Sequence, residues 1–159
     1  MAITKILYRN GGLRQAIDYI TNPVKTNEQL LTDYVRCDPG YAAQQMMDTR
    51  RALGKIAGRQ CYHIIQSFKP DEITPELAHE IAKQFAAEHL PGYEAVIATH
   101  VDKTHIHSHI VFNSVNAVTG KMYHSTRENY YKQIRGISDR LCKAHGLSIV
   151  LENDEKKAV

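Results

Sequence analysis

The sequence predicts an α+β fold, a mainly antiparallel sheet of about five strands with helices packed on it. Three observations predict it. Residues 94–101 and 106–115 are strand-like runs joined by the polar stretch Asp102-Lys103-Thr104, so they pair as a tight hairpin. Residues 60–68, QCYHIIQSF, are rich in β-branched and aromatic side chains that suit a pleated, half-buried surface. Between them, Leu77, Ile81 and Phe85 recur at a spacing of four and form the buried stripe of a helix. Strands and helices mixed in this way build a sheet covered by helices on one face, with the other face open.

Each element has a local cause. Residues 3–8, ITKILY, read as the first strand, and Gly11-Gly12 opens a short helix to about Thr21, which Asn22-Pro23 breaks. Residues 24–31 read as loop, followed by a short strand near 32–36. Asp38 is expected to cap a helix with Pro39 at its first position, running to about Lys55. Thr74-Pro75 starts the next helix, which Pro91-Gly92 ends. After the hairpin, Thr119-Gly120 makes a turn, and a last helix runs from about Thr126 to His145, stopped by Gly146. Residues 147–151 are expected to add an edge strand, and 152–159 form a polar tail.

Composition narrows the function classes. A chain of 159 residues, 43% hydrophobic and 23% charged, is one ordinary globular domain. No apolar run approaches the roughly 20 residues of a membrane-spanning helix, and MAITKILYRN lacks a signal-peptide core. Three scattered cysteines without a CxxC pair suit a reducing cytoplasm. Residues 1–70 carry ten Lys/Arg against five Asp/Glu, whereas residues 71–159 carry ten against twelve. A basic first half is compatible with a polyanionic partner.

The chemistry concentrates in HVDKTHIHSHIVFN, from His100 to Asn113, which holds four of the nine histidines in its first ten residues. Strand alternation sends His105, His107 and His109 to one side, with Ile106, Ile110 and Phe112 on the other. Pairing of the two runs folds His100 back towards His107 and His109. Three imidazoles from two strands make an open divalent-metal site with positions left for water or substrate. The competing reading is a structural histidine ladder, which like charges stacked on one strand face would disfavour. Tyr19 is a second candidate. On the helix 12–21 the stripe is Leu13, Ile17 and Ile20, and Tyr19 stands roughly 110° from its centre at 100° per residue. Asn22, Lys25 and Thr26 beside it suit phosphate contact, although spacing alone also allows a purely structural tyrosine.

GLRQAIDYITNPVKT, followed by RQCYHIIQSFKPDEITPELAHEIAKQFAAEHLPGYEAVIATHVDKTHIHSHIVFNSVN, resembles the relaxases, the mobilization nucleases of plasmids and conjugative transposons. More narrowly it resembles the branch that includes the agrobacterial T-DNA border nickase. The resemblance runs from the first strand to about Ser148, and the motif H-x-D-x-x-H-x-H-x-H-x-x-x-N carries most of it. It implies a palm-like fold of the tyrosine "HUH" endonuclease type and a site- and strand-specific nickase of single-stranded DNA. Tyr19 would attack the phosphodiester at the transfer origin, keep the 5′ phosphate and free a 3′ hydroxyl, a step that reverses to rejoin the strand.

By the same resemblance His107 and His109 are paired metal ligands and His100 the third. The ion would be Mg or Mn, with Zn, Ni or Co as alternatives, acting as Lewis acid on the phosphate. A free tyrosine has a pKa of about 10, so Tyr19 needs a base or the field of the metal. Asp102 would orient a histidine or accept a proton, or simply form the turn. His105 fits a place outside the ligand set, and His63 either hydrogen-bonds the site or sits satisfied in the core. Arg9, Arg14, Lys25, Arg59 and Lys69 are candidate contacts to DNA phosphates. The partners implied are origin DNA, single-stranded or in a hairpin, an accessory relaxosome DNA-binding protein and a coupling protein. The location is the bacterial cytoplasm, with carriage into the recipient cell on the bound strand. Residues 1–151 are expected to be the catalytic domain and 152–159 the start of a longer protein's next segment.

Two rival readings remain at this level. In rolling-circle initiators the tyrosine commonly follows the histidine motif, and here only Tyr131 stands in such a place off the apolar stripe. A zinc-dependent hydrolase or a metal-binding module is the alternative from another class.

Overall fold

A computed structural model describes residues 2–27 and 30–149. The strands are β1 (Ala2–Arg9), β2 (Thr32–Val35), β3 (Cys61–Phe68), β4 (Ala95–His100) and β5 (Ile106–Asn113). They form one sheet in the order β1-β3-β5-β4-β2, with every neighbouring pair antiparallel. The hairpin β4–β5 has the expected register, with Ala95 opposite Phe112 and His100 opposite His107. The central position of β5 buries its residues from Ser108 to Asn113 on both faces.

Helices cover both faces of the sheet, not one. Helix α3 (Pro75–His89) and the C-terminal helices bury Ile81, Phe85, Ile134 and Leu141 against Ile64, Ile97, Ile110 and Phe112. On the opposite face α1 (Leu13–Ile20) and α2 (Ala42–Ala52) bury Leu13, Ile17, Ile20 and Met46 against Cys61, Val96, Ala98 and Val111. The physical reason lies in β4 and β5. Their alternate residues Val96, Ala98 and Val111 form an apolar patch that the stripe of α1 must cover. Each fully buried isoleucine there contributes about 1.5–3 kcal/mol. The histidines occupy what this second layer leaves uncovered.

Three local expectations change. Helix α2 starts at Ala42, not Asp38, because Gly40 takes a left-handed backbone (φ 80°) that interrupts the helix. Asp38 instead exchanges two hydrogen bonds with Gln45, through its N–H and its carboxylate. The last helix does begin at the Thr126 cap, whose hydroxyl accepts from the Asn129 N–H. It then passes from α4 (Arg127–Asn129) through a π-helical segment (Tyr130–Arg135) into α5 (Gly136–Ala144). Residues 147–149 are not a strand, and the rest of that expected strand and the tail 152–159 lie outside the described residues. Among the described residues no helix is long and apolar enough to cross a membrane.

Candidate active site

The site grows out of the sheet register. His100 lies across from His107, Ala98 from His109, and on the other side β3 sets Ser67 against His107 and Ile65 against His109. Alternation then brings His63, His100, His107 and His109 to the α1 side of the sheet. His63, His100 and His109 are buried and His107 is half-buried. His105 precedes the first residue of β5 and is exposed, its ring centroid 6.3 Å from that of His107.

Each buried ring has a fixed partner. His100 donates from Nε2 to the Ile20 carbonyl at 2.9 Å, which leaves Nδ1 with its lone pair. His109 Nδ1 and His63 Nε2 share a proton at 2.7 Å. Ser67 Oγ stands 3.5 Å from His107 Nε2. Burial is the first cause that holds His63, His100, His107 and His109 below the ordinary imidazole range, and neighbouring positive charges add to it. His63 falls to about 4. Neutral imidazoles are the protonation state a metal ligand needs.

The rings lie side by side, tilted against one another. His100 and His109 have centroids 4.0 Å apart, and His107 follows 6.3 Å from His109 at 23°. Among the described residues no three His, Cys, Asp or Glu side chains are placed to hold a metal ion together. The donor chemistry fits a divalent ion. Convergence on one point requires side-chain rotation.

Tyr19 completes the group. The stripe that seats α1 on the sheet leaves this side chain half exposed at 49%, with its ring edge-on to His100 at 5.8 Å and to His109 at 6.2 Å. The turn at Asn22, whose carbonyl accepts from the Lys25 and Thr26 N–H groups, swings Lys25 back to the site. The Lys25 ammonium lies 5.3 Å from the Tyr19 ring centroid and 3.1 Å from Asp102 Oδ2. Its carbonyl accepts from the Val101 N–H at 2.7 Å. Burial alone would push the Asp102 carboxyl up, but the Lys25 ammonium draws it below its ordinary value. Asp102 therefore holds Lys25 beneath the tyrosine. Among the described residues Asp102 makes no hydrogen bond to a histidine ring nitrogen, so it does not orient one.

The other basic candidates are spread out. Arg9 and Lys69 are exposed at the ends of β1 and β3, and Arg14 is exposed on α1. Arg59 is not brought to the histidines. Its guanidinium lies 3.7 Å over Tyr8 and donates to Tyr62 Oη, and the Tyr62 ring belongs to the core on the α3 face. Tyr131 also sits on that face, in the π-helical segment beside Tyr130 and the guanidiniums of Arg127 and Arg135. The sheet separates its helix from the histidines.

Sequence reasoning missed a buried polar chain under these strands. His79 of α3 donates from Nε2 to Asp33 at 2.5 Å, its Nδ1 meets Thr99 Oγ1 at 2.9 Å, and Thr99 meets Ser108 Oγ at 2.9 Å. Ser108, at 1% exposure, is closed to substrate, so this Asp-His-Ser order is not a hydrolytic triad. The available signal was parity: Thr99 and Ser108 alternate with the histidines and must face the other way. Asn113, fully buried, donates to the Met46 carbonyl and to Glu94, and so ties α2 to the sheet.

Residues 19–147 match the family model described as "Relaxase: MobA/VirD2-like, nuclease domain". The chain is 36% identical to a Protein rlx of Staphylococcus aureus, over 94% of this chain and 45% of that protein. It is 42% identical to the group II intron-interrupted relaxase LtrB of Lactococcus lactis, over 87% of this chain and 31% of that one. It thus spans less than half the length of these relatives. Among solved structures, the MobM relaxase domain bound to plasmid pMV158 oriT DNA and manganese superposes with a TM-score of 0.66 at 18% identity. That match covers 93% of this chain and 88% of MobM. A structure from work on vancomycin resistance transfer in Staphylococcus aureus gives 0.63 at 12%, covering 94% and 96%. At these identities the two structures share the fold.

Proposed function

The chain belongs to the relaxase family, in the MobA/VirD2-like nuclease branch, and from that premise we propose that it nicks single-stranded DNA at the transfer origin of a mobile element through a phosphotyrosine at Tyr19. The observation that carries this reading is the half-exposed Tyr19 ring set edge-on to His100 and His109. A core tyrosine would be buried. A nucleophile must reach solvent and the polarising group together.

The Tyr19 oxygen attacks the scissile phosphorus and gives up its proton. The bond from phosphorus to the 3′ oxygen breaks, and that oxygen takes up one proton to leave as a hydroxyl, so protons balance overall. The 5′ phosphate remains on Tyr19, so attack by the 3′ hydroxyl restores the strand. His100, His107 and His109 would hold a divalent metal ion, which supplies Lewis-acid stabilisation of the phosphate charge. Manganese in the MobM complex supports this ion class. His63 sets the tautomer of His109, and Lys25 places a positive charge beside the tyrosine.

The DNA partner is the origin strand, with its hairpin, and exposed Arg9, Arg14 and Lys69 are its phosphate contacts. An accessory relaxosome protein and a coupling protein complete the assembly in the bacterial cytoplasm. A labelled origin oligonucleotide incubated with the protein and Mn²⁺ tests the reading. It should be cut at one position on one strand, with the cut lost in chelator and binding weakened steeply by salt. Binding that ignores salt, together with no cleavage, would overturn it.

A further inference from the structure

The far end of the tyrosine helix carries a second feature. A groove of about 290 Å³ opens between the first turn of α1 and the start of α2. Leu13 and Met47 give it an apolar floor, and Arg14, Gln15, Gln44 and Gln60 give it polar walls. The side chains of Arg14, Gln15 and Gln60 make no hydrogen bond or ion pair among the described residues. No carboxylate lines the groove.

We propose that this groove receives one nucleobase of the strand that Tyr19 cleaves and reads its identity. The inference rests on the nuclease reading above. Three features of the groove favour a base as the occupant. An apolar floor accepts the face of a planar heterocycle, while glutamine amides offer the paired donor and acceptor that a base edge requires. Free ends on Arg14, Gln15 and Gln60 are unused hydrogen-bonding capacity, whereas the Gln44 amide donates to Asp48. Position is the third. Gly12 and Tyr19 are seven residues apart, so α1 separates groove and nucleophile by about 10 Å. That is within the reach of a few nucleotides along one strand, and exposed Arg9 and Arg14 stand beside the groove to hold the phosphates between.

The groove is thus a specificity site, separate from the histidines. Gln15 and Gln60 read the base edge, and Arg14 anchors its phosphate or its edge. Loss of one such readout costs about 1–3 kcal/mol of discrimination, roughly 5- to 150-fold in preference at one position.

Selection from a single-stranded pool with 20 randomised positions, followed by sequencing, tests it. Wild type should return a motif. The Gln15→Ala/Gln60→Ala variant should return the same motif with preference at one position cut at least about fivefold. Gln44→Trp, which fills the mouth of the groove from an exposed position, should lose the same position. Both variants should melt like wild type and keep the salt dependence of binding. An unchanged motif in both variants overturns the proposal, as does wild-type binding without any motif. Wild-type protein that fails to bind the pool at all overturns the nuclease reading itself, a distinguishable result.

Discussion

His63 and His109 meet nitrogen to nitrogen at 2.7 Å in the buried layer under Tyr19. If His109 offers Nε2 to a metal ion, its proton stays on Nδ1 and donates to His63, which fixes both tautomers. Removing His63 should therefore weaken Mn²⁺ binding about 10–100-fold, the usual effect of losing a group that orients a ligand. Calorimetric titration should rank the alanine variants. His100, His107 and His109 lose binding most, His63 is intermediate, and exposed His105 is indistinguishable from wild type. Abolished binding in His105→Ala with intact binding in His100→Ala would reverse the ligand assignment.

Lys25 and Asp102 join the tyrosine helix to the hairpin turn. An ion pair this accessible contributes at most about 1 kcal/mol to stability. Asp102→Asn should leave the melting temperature nearly unchanged while slowing single-turnover cleavage about tenfold, because Lys25 loses its anchor. A wild-type rate would make the pair a simple surface contact.

Acid should unfold the protein. Burial pushes His63 and His89 down to about 4 from an ordinary value of 6.5, so both stay neutral in the fold. Between those values the unfolded chain binds protons that the folded chain refuses, and stability falls as pH falls. The thermal midpoint in metal-free buffer should be flat above about pH 7 and drop steadily from there to pH 4.5. His89→Gln should flatten part of that slope. A midpoint independent of pH in this window would contradict the buried neutral state.

The chain Asp33, His79, Thr99 and Ser108 braces β4 and β5 from behind. His79→Ala takes one of two partners from the buried Thr99 hydroxyl, which keeps Ser108, a cost of about 0.5–1.5 kcal/mol. Amide exchange at Thr99 and Ser108 should accelerate more than at β3. Uniform exchange across the sheet would show that the network has no local role.

The histidine hairpin was legible because its signals are local: alternation, a polar turn and a motif of fixed spacing. Helical periodicity placed Tyr19 off the stripe of Leu13, Ile17 and Ile20, and its ring is half exposed in the fold. Its candidacy as nucleophile came from the family resemblance. Other features depend on contacts between distant segments. Two-sided coverage of the sheet follows from Val96, Ala98 and Val111, whose apolar patch shows only when β4 and β5 are paired. The pairing of Asp102 with Lys25 spans 77 positions, and that of His79 with Asp33 spans 46. Gly40 broke the expected start of α2 because an Asp-Pro signal weighs only local capping. The left-handed turn after it depends on how Asp38 and Gln45 meet in the fold.

The proposed function stands on covalent attachment of Tyr19 to DNA. Intact mass spectrometry on wild-type protein incubated with Mn²⁺ and an origin oligonucleotide tests it most directly. The protein should gain the mass of the fragment 3′ of the nick, and peptide mapping should place the adduct within residues 15–25. Tyr19→Phe should bind the same DNA with unchanged affinity and gain no mass. An adduct that persists in Tyr19→Phe, or that maps to Tyr131 on the far side of the sheet, would contradict the account.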